Sequence, residues 1–131
     1  MLHMLDTDIA SYAIKGVPAV RANLATVPPS MICISVITRA EMLYGLQALA
    51  PNHRLHALVR QFLLIVRTLP WDSDAANYYA GIRHQLRTGQ TIGELDMMIA
   101  AHSLSAGAVL VTNNMRHFTR IAAPLSLVKW T

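Results

Sequence analysis

His3-Met4-Leu5-Asp6-Thr7-Asp8-Ile9 passes within seven residues from a short apolar run, through carboxylates, into what reads as a helix. A strand that is apolar on both faces and feeds straight into a helix belongs to a parallel sheet covered on both sides. The pattern recurs along the chain. Met31 to Ile34 leads into a helix from about Val36 to Ala50, capped by Ser35 or Thr38, and Leu64 to Leu69 forms a strand before Pro70. The wholly apolar Ala108 to Val111 follows a helix from about Ile92 to Ala106 that Gly107 ends. Further helices are expected from about Ile9 to Lys15 with Asp8 as N-cap, from Val17-Pro18 towards Val27, and from about Asn52 to Leu63. Another opens at Trp71-Asp72-Ser73-Asp74 and runs to about Thr88, before Gly89. Thr91 to Glu94 has the form of a capping box, and Ser126 to Lys129 that of a final edge strand. The expected fold is α/β, with a mainly parallel central sheet of four to five strands flanked by helices. The 131 residues fit a single domain, 1–131.

Seven acidic residues are present, and Asp6, Glu41 and Asp96 interrupt segments that otherwise read as core. A buried lone carboxylate costs several kcal/mol unless it is compensated. A divalent cation is the obvious compensation, and hard oxygen ligands favour Mg²⁺, with Mn²⁺ as a substitute. Asp6 ends the first strand and Asn114 follows the fourth, so both fall on the carboxyl edge where open parallel sheets bind ligands.

Each acid also has a structural reading. Glu41 completes Thr38-Arg39-Ala40-Glu41, a possible capping box, though that reading fails if Ser35 is the cap. Asp96 fits a first-turn acid that favours the helix dipole, and Asp6 a strand-end turn former. Capping alone would explain Asp8 and Glu94, and Asp72 and Asp74 look like helix-start residues. His53 and His56 share a helix spacing but lack a third zinc ligand, and read better as surface imidazoles. No Ser-His-Asp order and no Gly-rich phosphate loop occurs.

The net charge of +4 comes from nine Arg and two Lys against the seven acids, and no acid follows Asp96. Such a layout suits a polyanion, and Arg suits bidentate phosphate contact. Arg83 with Arg87, and Arg116 with Arg120, are the pairs expected to meet phosphate, or else to form solvated faces. At 53% apolar and 14% charged residues, self-association or a protein partner is expected. Cys33, alone, reads as a small buried hydrophobe. The first residues lack a basic leader, and no apolar run approaches the ~18 residues of a membrane span. A cytoplasmic protein is expected.

Four stretches now stand in order: Met4-Leu5-Asp6-Thr7-Asp8-Ile9; Ile34-Ser35 through Glu41-Met42-Leu43-Tyr44-Gly45; Gly93-Glu94-Leu95-Asp96 through His102; and Val109-Leu110-Val111-Thr112-Asn113-Asn114 through Phe118. Over nearly the whole chain this resembles the PIN-domain ribonucleases, specifically the VapC toxins of type II toxin–antitoxin modules. The resemblance implies a PIN fold, Mg²⁺-dependent endonucleolytic cleavage of RNA, a homodimer, and inhibition by a cognate VapB-like antitoxin. It implies structured RNA, transfer or ribosomal, as substrate. Position by position, Asp6, Glu41 and Asp96 match the family's acidic metal-site residues, Asn114 the last motif's metal-site position, and Thr112 a supporting residue. Asp8 matches either a cap or a ligand through water. His117 departs from the pattern, standing where many relatives carry an acid. This lowers the carboxylate count, favours a single Mg²⁺, and leaves His117 a phosphate contact or an acid–base group.

Two other classes compete. Asp6-Thr7-Asp8 after a strand resembles the start of haloacid-dehalogenase-type phosphotransferases, but these need a later lysine and acidic pair, and only Lys15 and Lys129 exist. A non-catalytic interaction module would instead bury its acids in ion pairs with Arg.

Overall fold

The computed structural model describes residues 1–89 and 92–131, and the expected capping residue Thr91 lies outside them. Five parallel strands form one sheet in the order β3-β2-β1-β4-β5: β1 is His3–Leu5, β2 Ile32–Ser35, β3 Arg67–Leu69, β4 Val109–Val111 and β5 Leu127–Val128. The register explains the two-faced apolar strands. Met4 lies between Cys33 and Leu110, and Leu5 between Ile34 and Val111. Because side chains alternate across a strand, the first row faces one way and the second the other.

Each row seeds a core. Met4, Cys33 and Leu110 pack with Ile82, Met97, Ile99 and Phe118, under α5 (Ser73–Gln85) and α6 (Glu94–Ala106). Leu5, Ile34 and Val111 pack with Ile9, Val20, Met42 and Val59. These come from α1 (Thr7–Lys15), α2 (Pro18–Leu24), α3 (Val36–Leu46) and α4 (Arg54–Ile65). A short α7, Met115–Phe118, follows β4. Leu110 is fully buried in the middle of the sheet. Leu110→Ala should cost about 2–5 kcal/mol, read from urea unfolding, because the emptied site cannot collapse between its flanking strands.

Several boundaries differ from the sequence expectation. Helix α1 begins at Thr7, with Asp6 and not Asp8 as its N-cap: Asp6 Oδ1 accepts the Ile9 amide at 2.9 Å. Ser35 caps α3, accepting from the Ile37 amide at 3.0 Å, so Thr38 is inside the helix and Glu41 is not its capping partner. This helix stops at Leu46 rather than Ala50. Gly45 weakens its last turn, and Pro51 keeps the residue before it out of the helical region. The helix α4 runs on to Ile65 and leaves Leu64 and Ile65 exposed, so β3 starts at Arg67 rather than Leu64. The next, α5, ends at Gln85, before Thr88. Gly93 is the N-cap of α6, with buried Ile92 and Met97 in one cluster across its first turn, a hydrophobic staple.

Candidate active site

Strand order reverses at β1: the chain steps outward through β2 and β3, then returns to lay β4 on β1's other side. The crevice at the carboxyl ends of β1 and β4 is where this topology opens a binding site. Asp6 closes β1 there, its amide donating to the Val111 carbonyl at 3.0 Å. Thr112 closes β4 and donates its hydroxyl to Asp6 Oδ2 at 2.5 Å. Thr112 Oγ1 in turn accepts the Asn114 amide at 2.9 Å, which fixes the turn that carries Asn114. Asp6 is thus held by both oxygens, one from its own helix and one from the neighbouring strand.

Glu41 reaches the same place from α3. Thr7 Oγ1 donates to Glu41 Oε1 at 2.6 Å and lies 3.2 Å from the buried Thr38 hydroxyl. Asp96 arrives from the first turn of α6, and His117 Nδ1 stands 4.0 Å from its Oδ2. Asn114 Nδ2 donates to that same His117 nitrogen at 2.8 Å. Asp6, Thr7, Asp8, Glu41, Asp96, Asn114 and Phe118 line one cavity of about 240 Å³.

The electrostatics of that cavity are unfavourable to its own carboxylates. Burial pushes Asp6 up to about 6, against the Thr112 and Ile9 hydrogen bonds that favour its ionised form; the charges of Asp8 and Asp96 push in the same direction as burial. Asp96 is raised by burial first and by the Glu41 charge next, with His117 opposing and Asp8 adding. Among the described residues the only Lys or Arg ion pair within 4.0 Å is the exposed Arg83–Glu94 contact. No carboxylate there is buried against Arg, so the ion-paired interaction module is not what folds.

The cavity's polar donors are all oxygens apart from the Asn114 amide nitrogen, which is spent on His117. A hard donor set under mutual repulsion fits a hard divalent cation. Among the described residues no three His, Cys, Asp or Glu side chains meet as a ready-made cluster. The carboxylates stand on the walls of a shared cavity, as like charges do. The His53–His56 zinc alternative loses one ring to backbone duty, since His53 Nδ1 accepts the Leu55 amide at 3.1 Å as the cap of α4.

The expected phosphate contacts divide. Arg116 and His117 sit on α7, directly after Asn114. Arg83 is 3.1 Å from Glu94 and 6.0 Å from the Tyr79 ring centre, while Arg87 Nη1 donates to the His84 carbonyl at 2.6 Å. Gln85 ties down the backbone of Arg120 and Ala122, linking that segment to α5. Two further contacts had no signal in the sequence beyond residue type. The hydrogen bond from Thr7 to Glu41 needs two helices to meet, and the buried His102, 2.7 Å from Ser35, reads in sequence as core filler.

A crevice at the β1–β4 reversal, walled by carboxylates from β1, α1, α3 and α6, defines a class, and comparison with known proteins agrees. The PIN domain model matches residues 3–124, and the chain belongs to the PIN-domain family. Within it the relatives are VapC ribonucleases. The chain is 43% identical over 123 residues to the tRNA(fMet)-specific endonuclease VapC of Salmonella typhimurium, with 90% of each covered. Its fold matches a chain of the VapBC2 crystal structure from Rickettsia felis, bound to a promoter DNA fragment, at TM-score 0.90 and 32% identity over 100% of both chains. It matches a chain of DNA-bound VapBC from Salmonella typhimurium at TM-score 0.89 and 39% identity, again over 100% of both. The phosphotransferase alternative for Asp6 and Asp8 gives way to this family.

Proposed function

We propose that residues 1–131 act as one Mg²⁺-dependent endoribonuclease domain, the toxin of a type II toxin–antitoxin module, cleaving structured transfer or ribosomal RNA in the cytoplasm. The observation that carries this reading is the cavity shared by Asp6, Glu41 and Asp96, in which burial and neighbouring carboxylates disfavour the charged forms of Asp6 and Asp96. Asp6 and Asp96 would hold the metal, with Mn²⁺ able to replace Mg²⁺, and Asn114 and Asp8 line the same cavity. When bound, the cation supplies Lewis-acid stabilisation of charge on the phosphodiester and lowers the pKa of a coordinated water.

Glu41, fixed by Thr7 at 2.6 Å, orients the attacking water and takes its proton. The water oxygen bonds to phosphorus as one P–O ester bond breaks, and a proton passes to the departing oxygen. Arg116 and His117 hold the phosphates nearest the cavity, and Arg83, Arg87 and Arg120 carry the strand beyond it. Removing the Thr112 hydroxyl takes away a hydrogen bond that favours ionised Asp6. Thr112→Val therefore raises the Asp6 pKa further, and the acid limb of the pH–rate profile should move to higher pH. An unshifted limb would separate Thr112 from the chemistry.

A VapB-like antitoxin and a second copy of the chain are the proposed partners. Their support is the apolar exposure of Leu43, Tyr44, Leu64 and Ile65, and the apolar groove lined by Leu24, Val27, Phe62 and Val66. No helix among the described residues is long and apolar enough to cross a membrane. The test is induced expression in a bacterial host. Growth should arrest with the wild-type chain, continue with Glu41→Gln, and recover when the antitoxin is co-expressed; unimpeded growth with folded wild-type protein would overturn the toxin reading.

A further inference from the structure

Glu41 and Asp96 belong to helices packed mainly on different cores. The residues of α3, Met42 and Leu46, join the cluster on one side of the sheet, whereas Met97, Ile99 and Ala100 of α6 join the cluster on the other. Ile37, in the first turn of α3, also packs against the cluster that α6 joins, so a single apolar contact of α3 spans the two sides. Apolar packing is non-directional, so a fixed spacing of the two carboxylates calls for a directional contact beside it.

His102 is placed for that task. It lies on α6 beyond Asp96, is 2% exposed, and is not part of the cavity wall. Its Nδ1 is 2.7 Å from Ser35 Oγ, the fully buried hydroxyl that ends β2 and caps α3 through the Ile37 amide. The Pro70 carbonyl, just after β3, lies close to the same ring and favours its protonated form. Trp71 Nε1 donates to the Met98 carbonyl at 3.0 Å and fastens that loop to α6.

The partners favour one tautomer. Ser35 Oγ accepts from Ile37, and donating its own proton to His102 Nδ1 uses both its acceptor and its donor capacity and leaves Nε2 as the protonated ring nitrogen. Burial lowers the His102 pKa, with Asp72 and the Pro70 carbonyl opposing, which keeps the ring neutral. An apolar side chain would fill the same space without a desolvation cost, so the imidazole's distinctive contribution is its hydrogen bonds.

We infer that His102 is a positioning residue: through Ser35 it fixes the start of α3 against α6, and so sets the separation of Glu41 and Asp96. The inference rests on the nuclease reading for its activity test, and its remaining readouts do not. Four variants decide it: His102→Leu, which keeps the bulk, Ser35→Ala, the double variant, and His102→Asn, which offers Ser35 an amide oxygen.

In His102→Leu, kcat for RNA should fall about 10- to 100-fold, the loss expected of a small misplacement of reacting groups, with KM unchanged. Mg²⁺ affinity measured by calorimetry should weaken in parallel. Ser35→Ala should do the same, the double variant should be no worse than His102→Leu, and His102→Asn should recover both readouts. Nitrogen-15 shifts of the wild-type ring should show Nδ1 bare and Nε2 protonated. Wild-type kcat and Mg²⁺ affinity in His102→Leu, additive losses in the double variant, no recovery with Asn, or the opposite tautomer would each overturn the inference. Should the wild-type chain fail to cleave RNA, the nuclease reading falls. The Mg²⁺ affinities then decide alone, weakened and rescued in support, equal across variants against. Should His102→Leu not fold, Ser35→Ala and the ring tautomer decide between the same two outcomes.

Discussion

Asp6→Asn should abolish RNA cleavage and, in metal-free protein at pH 7, increase stability. The side chain is 5% exposed, and its pKa rises from 3.8 to about 6 on folding. At ~1.4 kcal/mol per unit, keeping it ionised costs the fold about 3 kcal/mol. Asparagine removes that cost and keeps the Ile9 cap through its amide oxygen. Its amide nitrogen meets the Thr112 hydroxyl, which loses its acceptor at a cost of about 1 kcal/mol. The net gain at pH 7 is about 2 kcal/mol. The sign follows from proton binding: between pH 3.8 and about 6 the folded state holds the Asp6 proton more tightly than the unfolded state. This contribution to wild-type stability is therefore complete below pH 3.8 and lost as pH rises through 6. The advantage of Asp6→Asn should be absent near pH 4 and full at pH 7, measured by urea unfolding in EDTA. An advantage that shrinks with rising pH would contradict the burial argument.

Asp96→Asn should lower kcat by about 100- to 10,000-fold while leaving stability within about 1 kcal/mol of wild type. The rate figure follows from the several kcal/mol that a well-held metal contributes, at ~1.4 kcal/mol per tenfold. The stability figure follows from opposing effects. Asp96 complements the dipole of α6 from its first turn, a contribution of about 0.3–1 kcal/mol, yet its pKa is raised by burial and by the Glu41 charge. Removing the charge loses the first and relieves the second. Mg²⁺ affinity should fall together with kcat; loss of cleavage with unchanged Mg²⁺ binding would move Asp96 from metal ligand to another role.

The sheet was legible because its strands violate the usual alternation of polar and apolar residues. Met4-Leu5 and Leu110-Val111 are apolar on both faces, and the structure shows a core on each side to account for it. Boundaries were less legible wherever two residues could serve one purpose. Asp6 and Asp8 both suit an N-cap, and only the three-dimensional ladder to Val111 places Asp6 at the strand end with its oxygen on the Ile9 amide. The apolar Leu64 and Ile65 looked like strand because periodicity cannot separate a short apolar run from the end of a helix; they extend α4 and face outward.

The cavity's acids were legible as misplaced charges. Their supports were not, because Thr7, Thr112 and His102 act through contacts between elements far apart in sequence. Thr112 was reached only through the likeness of the last motif to a known family. For Arg83 the pairing with Glu94 depends on how α5 and α6 pack, which sequence spacing does not encode. Such an exposed pair contributes little and leaves the guanidinium open to exchange for phosphate.

The most direct test of metal-dependent RNA cleavage at the Asp6–Glu41–Asp96 cavity is incubation of total cellular RNA with the purified, antitoxin-free chain. Mg²⁺ and EDTA are compared beside Asp96→Asn, with sequencing of the new RNA ends. Discrete ends that require Mg²⁺ and vanish in the variant are the expected result. Intact RNA from folded, Mg²⁺-binding protein, or the same ends from Asp96→Asn, would contradict it.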